Sequence, residues 1–97
     1  MKGLERLEEW YVSHCNGEWE HHSGIDIGTL DNPGWTLKIN LAGTKAEDRS
    51  LERVKLERSE RDWLQYWVAN REFHAACGAR NLSELIEIFC DWFERSD

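Results

Sequence analysis

Residues 29–35 read Thr29-Leu30-Asp31-Asn32-Pro33-Gly34-Trp35 and hold the only proline of the chain. Proline fixes φ near about −65°, which suits the first corner of a β-turn. A glycine after it can take the positive φ that the second corner of a type II turn requires. We therefore predict a turn at residues 32–35. The runs on either side, 24–30 and 35–41, are strand-like, and the second alternates apolar and polar side chains, as a half-buried strand does.

Two amphipathic helices are predicted at the ends of the chain. Residues 3–15 carry apolar side chains at spacings of three and four, and Asn16-Gly17 is a typical helix stop. Near the other end, Asn81 and Glu84 have the spacing of a capping box directly before an apolar run. That spacing predicts that Asn81 caps the last helix.

Three further strands follow the predicted hairpin. Residues 53–58 alternate in polarity, and residues 63–68 are rich in aromatic and β-branched side chains. Residues 69–72 fit a tight turn that leads to a short fifth strand at 73–76. The segment 18–23 would lead into the hairpin and could begin its first strand.

These elements predict an α+β fold: an antiparallel meander sheet of four or five strands with an N-terminal and a C-terminal helix packed on one face. The other face would then be open and polar. The side chains expected on it are Thr36, Lys38, Asn40, Arg53, Lys55 and Glu57. On the fourth strand, either Trp63 and Trp67 or Leu64, Tyr66 and Val68 must face inward. We expect Trp10, Trp35 and Trp92 in the core.

The composition predicts one soluble, cytoplasmic domain spanning residues 1–97. Hydrophobic and charged residues make up 40% and 32% of the chain, as in ordinary globular proteins. No apolar run is long enough to span a bilayer, and no signal peptide is visible. Three widely spaced cysteines argue against a disulfide framework. The net charge of −7 disfavours nucleic acid binding, since phosphate contacts need a basic patch.

The segment Glu18-Trp19-Glu20-His21-His22 is the only cluster suited to metal binding or acid–base chemistry. In a strand, alternate side chains point to opposite sides, so the two histidines would not converge on one ion. We therefore expect no metal site and no cofactor there, and read the cluster as an acidic rim that contacts a partner. The sequence also shows no nucleophile with an orienting base and no phosphate-binding loop, so no catalytic residue is assigned and no enzyme activity is predicted.

Several short motifs follow one another in an order that resembles the immunity protein 53 family. They are Trp10-Tyr11, Cys15-Asn16-Gly17-Glu18-Trp19-Glu20-His21, Thr29-Leu30-Asp31-Asn32-Pro33-Gly34-Trp35, Leu41-Ala42-Gly43-Thr44, Glu57-Arg58-Ser59-Glu60, Trp67-Val68, Asn81-Leu82 and the helix around 85–92. That family consists of small bacterial proteins encoded beside polymorphic toxins. The resemblance implies a protein that binds a cognate toxin domain and neutralises it stoichiometrically, and it implies no catalysis.

The expected site residues fall into two groups. The partner-binding group comprises Glu18, Trp19, Glu20, His22, Lys38, Asn40, Lys55 and Trp67. The framework group of the family motifs comprises Asp31, Pro33, Gly34, Trp35 and Gly43, with Asp31 accepting backbone N–H groups of its own loop. An acidic protein would suit a basic toxin such as a nuclease, and exposed aromatic side chains would allow a homodimer.

Two other functions fit the same sequence. An open sheet face would also serve an adaptor that has nothing to do with toxins. A small metal-dependent hydrolase would have to be built around His21 and His22, together with the acidic residues beside them.

Overall fold

The structure is a computed structural model that describes residues 2–95. The elements in chain order are α1 (Gly3–His14), α2 (Trp19–His22), β1 (Ile25–Leu30), β2 (Gly34–Asn40), β3 (Leu51–Glu57), β4 (Trp63–Ala69), β5 (Glu72–Gly78) and α3 (Leu82–Glu94). The predicted α+β class, the five antiparallel strands and the two terminal helices are confirmed. The one-turn helix α2 was not predicted.

The strand order is β1-β2-β5-β4-β3, so the predicted simple meander is wrong at one connection. Strands β1 and β2 form a hairpin and β3, β4 and β5 form a meander, but β2 pairs with β5 and not with β3. The burial pattern explains this order. Strand β5 buries Phe73, Ala75 and Cys77, whereas β3 has no fully buried side chain and therefore suits an edge.

The core lies between one face of the sheet and the two long helices. Helix α3 packs on β5, where Phe89 and Trp92 contact the Phe73 ring. Helix α1 packs against α3 and places Trp10 edge-on to Phe89. Trp10 and Trp92 are buried as predicted, and Trp35 is half-buried against the same core. No helix among residues 2–95 combines the length and the apolar character needed to cross a bilayer.

The hairpin between β1 and β2 differs from the predicted type II turn. Gly34 does not have a positive φ; it is the first residue of β2 and pairs with Leu30 on one side and Gly78 on the other. Residues 31–33 form the loop. Glycine is needed at position 34 because a Cβ atom there would collide with the carbonyl oxygen of Cys77. The requirement is close backbone approach and not turn geometry.

Positive φ angles occur elsewhere in the loops. Gly17 (89°) and Gly43 (80°) have them, as expected for backbone devices. The β4–β5 turn has φ of 54° at Asn70 and 64° at Arg71, so both central residues are left-handed, as in a type I′ hairpin. The tight turn predicted at residues 69–72 is confirmed.

Asn81 begins α3 but does not cap it as predicted, because its side chain makes no hydrogen bond to the free N–H groups of the helix. Its amide donates instead to Asp62 at 3.0 Å, and its Oδ1 accepts from the backbone N–H of Trp63 at 3.3 Å. The side chain therefore fastens the β3–β4 turn to the start of α3.

Candidate functional site

The face of the sheet opposite the helices is open, and we call it the open face. In β2, Leu37 and Ile39 are buried while Lys38 between them is exposed. In β4, Leu64 and Val68 are buried, so the alternation turns Trp67 to the open face. This settles which side of β4 faces inward. The predicted open-face residues of β2 and β3 all lie on this side of the sheet, and the half-buried ones are Thr36 and Asn40.

A row of side chains crosses the open face at mid-height. Strand pairing places Asp26 beside Lys38, Lys38 beside His74, and His74 beside Trp67. The His74 imidazole stacks on the Trp67 indole, with ring centroids 5.3 Å apart and planes inclined by 14°. The Arg53 guanidinium lies over the indole, 4.1 Å from the ring centroid. Arg53, Trp67 and His74 thus form one stack, which we call the open-face stack.

Each contact within the stack contributes little free energy, but together the contacts restrict the rotamers of the three side chains. A cation over a tryptophan at a site open to solvent contributes about 0.5–1 kcal/mol, and Trp67 is half-buried. Aromatic pairs add a similar amount beyond the area they bury. Because each ring or guanidinium plane rests on the next, the three side chains lose much of their rotamer freedom before any partner arrives. The stack therefore forms a ridge of contacting side chains on the open face.

One acidic side chain joins this ridge to the cation on β2. Glu72 Oε1 lies 3.4 Å from His74 Nε2, and Glu72 Oε2 lies 4.0 Å from Lys38 Nζ. Both contacts are partly exposed to solvent, so they orient the side chains more than they stabilise the fold. The open face as a whole mixes Lys38, Arg53 and Lys55 with Asp26, Glu57 and Glu72, and so is close to neutral.

Beside the ridge lies a strip that begins with three small residues, Gly28, Thr36 and Ala76, and continues through Gln65. Gly28 pairs with Thr36, Thr36 with Ala76, and Ala76 with Gln65. Lys55 on the edge strand pairs with Gln65 and ends this strip. A partner side chain could therefore lie flat on the sheet and press against the stack from one side.

The segment around α2 is built differently from the predicted strand. Trp19 is only 8% exposed, and its Nε1 donates to the carbonyl oxygen of Ala42 at 3.0 Å. The Glu20 carboxylate accepts the backbone N–H groups of Asn16 and Gly17 at 2.9 and 2.8 Å. Hydrogen bonds from backbone N–H groups, its own first and then that of Asn16, lower the pKa of Glu20. Trp19 and Glu20 therefore fit a framework role in place of the predicted partner-binding one.

His22 and Glu18 remain at the surface. His21 and His22 are exposed and border a shallow depression of about 380 Å³ that Lys38, Asn40 and Glu72 also line. The structure therefore brings His22 to the end of the open face, next to two other predicted partner-binding residues. The Asn40 side chain already makes one hydrogen bond within the protein, because its Oδ1 accepts the backbone N–H of Ala42 at 2.8 Å. Glu18 is exposed but does not line this depression.

The predicted framework residues have separate roles. Trp35 Nε1 donates to the carbonyl oxygen of Ala79 at 2.9 Å and ties β2 to the loop before α3. Gly43 gives the loop after β2 its positive φ. Asp31 and Pro33 are exposed. Within residues 2–95 the Asp31 side chain makes none of the backbone hydrogen bonds expected of it, so the predicted Asx turn is wrong.

Two polar residues that β5 places on the open face, Glu72 and His74, were not predicted from the sequence. The signal was available, because apolar residues at 73, 75 and 77 alternate with the residues between them. The strand was predicted to start at Phe73 and to be short. Glu72 was therefore assigned to the turn, and the outward-facing residues of the strand were not considered.

The described part of the chain offers little for catalysis. Residues 2–95 contain no group of three histidine, cysteine or acidic side chains placed to hold a metal ion. Cys77 and Cys90 are buried, and burial raises the pKa of the Cys77 thiol to about 11, so it is a poor nucleophile at neutral pH.

A family model described as immunity protein 53 matches residues 4–94, which is almost the whole chain. Neither the curated proteins nor the solved structures include a match to this chain.

Proposed function

The chain belongs to the immunity protein 53 family, and from this premise we propose that it binds a cognate toxin domain of a polymorphic toxin system and neutralises it stoichiometrically. It would act by occupying the toxin and would have no turnover of its own. The observation that supports this reading is the open-face stack of Arg53, Trp67 and His74. It is a fixed cluster of binding side chains on a surface that the core does not use.

The residue types of the stack suit a tight interface. Tryptophan and arginine are enriched among the few residues that carry most of the binding free energy in protein complexes. Such residues contribute more when they are already ordered, because association then costs less side-chain entropy. Trp67 is held between Arg53 and His74 before binding. We therefore place Trp67 at the centre of the toxin interface, with Lys38, Lys55 and His22 around it.

Inhibition of a toxin demands high affinity, because each toxin molecule left free continues to act. A nanomolar dissociation constant corresponds to about 12 kcal/mol. The open face can reach this only if the stack is fully desolvated in the complex. We propose that the strip beside the stack, from Thr36 to Gln65, receives a side chain of the toxin and completes that desolvation.

The charge of the chain favours a basic toxin, such as a nuclease. Because the open face is nearly neutral, the net charge of −7 resides mostly elsewhere on the protein. Charge outside the contact area accelerates encounter with an oppositely charged partner and adds little to the lifetime of the complex. The association rate constant should therefore fall steeply with added salt, while the dissociation rate constant changes little.

The test is binding and protection with the toxin domain encoded next to this protein. We expect Trp67→Ala to weaken binding about 30-fold or more, as loss of an interface hot spot does. Arg53→Ala should weaken binding less, because it removes one layer of the stack and leaves the indole in place. Co-expression of toxin and variant, scored by cell viability, should show the same order.

A matched control is available on the opposite side of the molecule. Val12 is 68% exposed on α1, far from the open face, so Val12→Ala removes exposed apolar surface without touching the stack. Its affinity for the toxin should equal that of the unmodified protein. If Trp67→Ala and Val12→Ala bind equally well, the open face is not the toxin interface. If the unmodified protein neither binds nor protects, the proposed function fails.

A further inference from the structure

The two edges of the sheet are protected to very different degrees. Edge strand β3 is interrupted by a bulge between Leu51 and Val54 and carries four charged side chains, at positions 52, 53, 55 and 57. Bulges and charges are the usual devices that stop a sheet edge from pairing with another strand. Strand β1 has a regular register with β2 over all six residues and only one charged side chain, Asp26. This edge carries no such protection.

The register shows which backbone groups of β1 point away from the sheet. The N–H of Asn40 donates to the carbonyl oxygen of Gly24 at 3.0 Å, so these two residues form a hydrogen-bonded pair. Hydrogen-bonded and non-hydrogen-bonded pairs alternate along an antiparallel ladder. Asp26, Gly28 and Leu30 therefore bond to β2. The N–H and C=O groups of the three residues between them, at positions 25, 27 and 29, point outward.

The side chains at this edge are also uncovered. Ile27 is 41% exposed although it lies on the helix side of the sheet, and Thr29 is exposed as well. An isoleucine in the middle of a free edge leaves apolar surface in contact with water, and a partner that covers it removes that surface from water. The edge thus offers unpaired backbone groups and apolar surface at the same place.

We propose that two copies of this chain associate through β1, antiparallel, about a two-fold axis that passes beside Ile27. In this register Ile27 lies opposite Ile27 of the second copy, and Ile25 lies opposite Thr29. All three are outward-pointing residues, so each of their N–H and C=O groups finds a partner. The sheet then continues without a break from one copy into the other.

The sequence of β1 is self-complementary in this register. Asp26 falls opposite Gly28, so no two like charges face each other directly across the new pair. The two Asp26 side chains are diagonal neighbours, and each has Lys38 of its own chain opposite it in the β1–β2 pair. On the helix side, the two Ile27 side chains cover one another. This fit to its own copy is what favours a second copy of the chain over a strand of another protein.

One pair of strands makes a small interface, so the dimer should be weak. Interfaces of this size are typical of transient complexes, so we expect a substantial fraction of monomer at low micromolar concentration. The dimer forms through the edge of the sheet, so the open face stays free in it. The inference therefore does not depend on the proposed toxin interface.

The test is sedimentation of the isolated protein from low micromolar to millimolar concentration. We expect the mean mass to rise from one chain toward two. Ile27→Lys places two ammonium groups opposite each other at the two-fold axis and should raise the dissociation constant at least tenfold. Val12→Lys introduces the same charged side chain at a residue that is 68% exposed on α1, and it should leave the dissociation constant unchanged.

A charge-swap experiment tests the register itself. Ile27→Lys mixed with Ile27→Glu should form a mixed dimer, whereas each variant alone stays monomeric. Circular dichroism of both variants should match the unmodified protein, since the substituted side chain is at an exposed edge. Three results would overturn the proposal: a monomer at every concentration, a dimer that is insensitive to Ile27→Lys, or failure of the charge-swapped pair to associate.

Discussion

The Trp19 indole Nε1 donates a 3.0 Å hydrogen bond to the carbonyl oxygen of Ala42, which lies just after the end of β2. The same ring packs edge-on against Trp10 of α1, with centroids 5.7 Å apart. One side chain therefore joins α2, α1 and the loop that leaves the hairpin. This explains why Trp19 is fixed within the framework although its neighbours in the sequence are charged.

Replacing this side chain should therefore damage the fold. We expect Trp19→Ala to lower the free energy of unfolding by about 3–5 kcal/mol, the usual loss for a buried tryptophan. Trp19→Phe should cost less, because it keeps most of the apolar area and removes only the hydrogen bond to Ala42. Urea denaturation measures both. A Trp19→Ala variant within about 1 kcal/mol of the parent would show that the ring is not part of the core.

Gly34 should not tolerate even a methyl group. Gly34→Ala places a Cβ atom against the carbonyl oxygen of Cys77 on β5, and we expect a loss of about 1–3 kcal/mol as the two strands separate. Gly24→Ala is the matched control, because a Cβ at position 24 meets no atom within 4 Å. Thermal or urea unfolding of the two variants should separate them clearly. Equal stability of the two would contradict close packing of β2 against β5.

The β4–β5 turn offers a stabilising substitution. Arg71 has a φ of 64°, a conformation that costs a non-glycine residue about 1–2 kcal/mol. Arg71→Gly should therefore raise the free energy of unfolding by about 0.5–1 kcal/mol, after the larger entropy of glycine in the unfolded chain is subtracted. Arg71→Ala keeps a Cβ atom and should give no such gain. Urea denaturation of the two variants measures the difference in their free energies of unfolding.

Acid should weaken the contact between the β3–β4 turn and α3. The Arg58 guanidinium donates to Asp62 at 2.8 Å and to Glu84 at 2.6 Å. The hydrogen bond from Arg58 is the main cause that lowers the pKa of each carboxyl group, and Asn81 contributes to both. Both groups therefore bind protons less readily in the folded protein than in the unfolded chain.

The sign of the pH dependence follows. The stability that these carboxylates contribute is complete above their unfolded pKa values, about 4, and is lost as the pH falls through the lower folded values. The free energy of unfolding should decline from about pH 5 downward, and Arg58→Gln should make that decline shallower. Arg80→Gln, at an exposed loop arginine, is the control. Identical pH profiles of stability for Arg58→Gln and the parent would show that this cluster does not contribute to the loss of stability in acid.

The faces of the strands could be predicted from the sequence, because alternation is a local property. Lys38 lies between buried Leu37 and Ile39, so its direction was fixed without knowledge of any other strand. The order of the strands is not local. No residue pattern within β2 or β3 indicates that β5 and β4 lie between them. That order follows from how much apolar surface each strand can bury in the assembled sheet.

Helix α2 escaped prediction for a different reason. A single turn is too short to show a helical period, and its start is set by side chains acting on backbone groups. Asn16 Oδ1 accepts the N–H groups of Glu18 and Trp19 at 3.0 and 2.9 Å, and Glu20 closes the same loop from the other side. The charged neighbours of Trp19 led to the prediction that its ring lies at the surface. The local hydrogen bonds of this loop instead turn the ring inward.

The pairing of β2 with β5 has a consequence for how the chain reaches its native state. The hairpin β1–β2 and the unit β3–β4–β5 each assemble from neighbours in sequence, whereas their junction joins residues such as Gly34 and Gly78 that are far apart along the chain. Closing so long a stretch carries a large entropy cost before any contact rewards it. The junction should therefore set the refolding rate, and substitutions along it should slow refolding more than they accelerate unfolding.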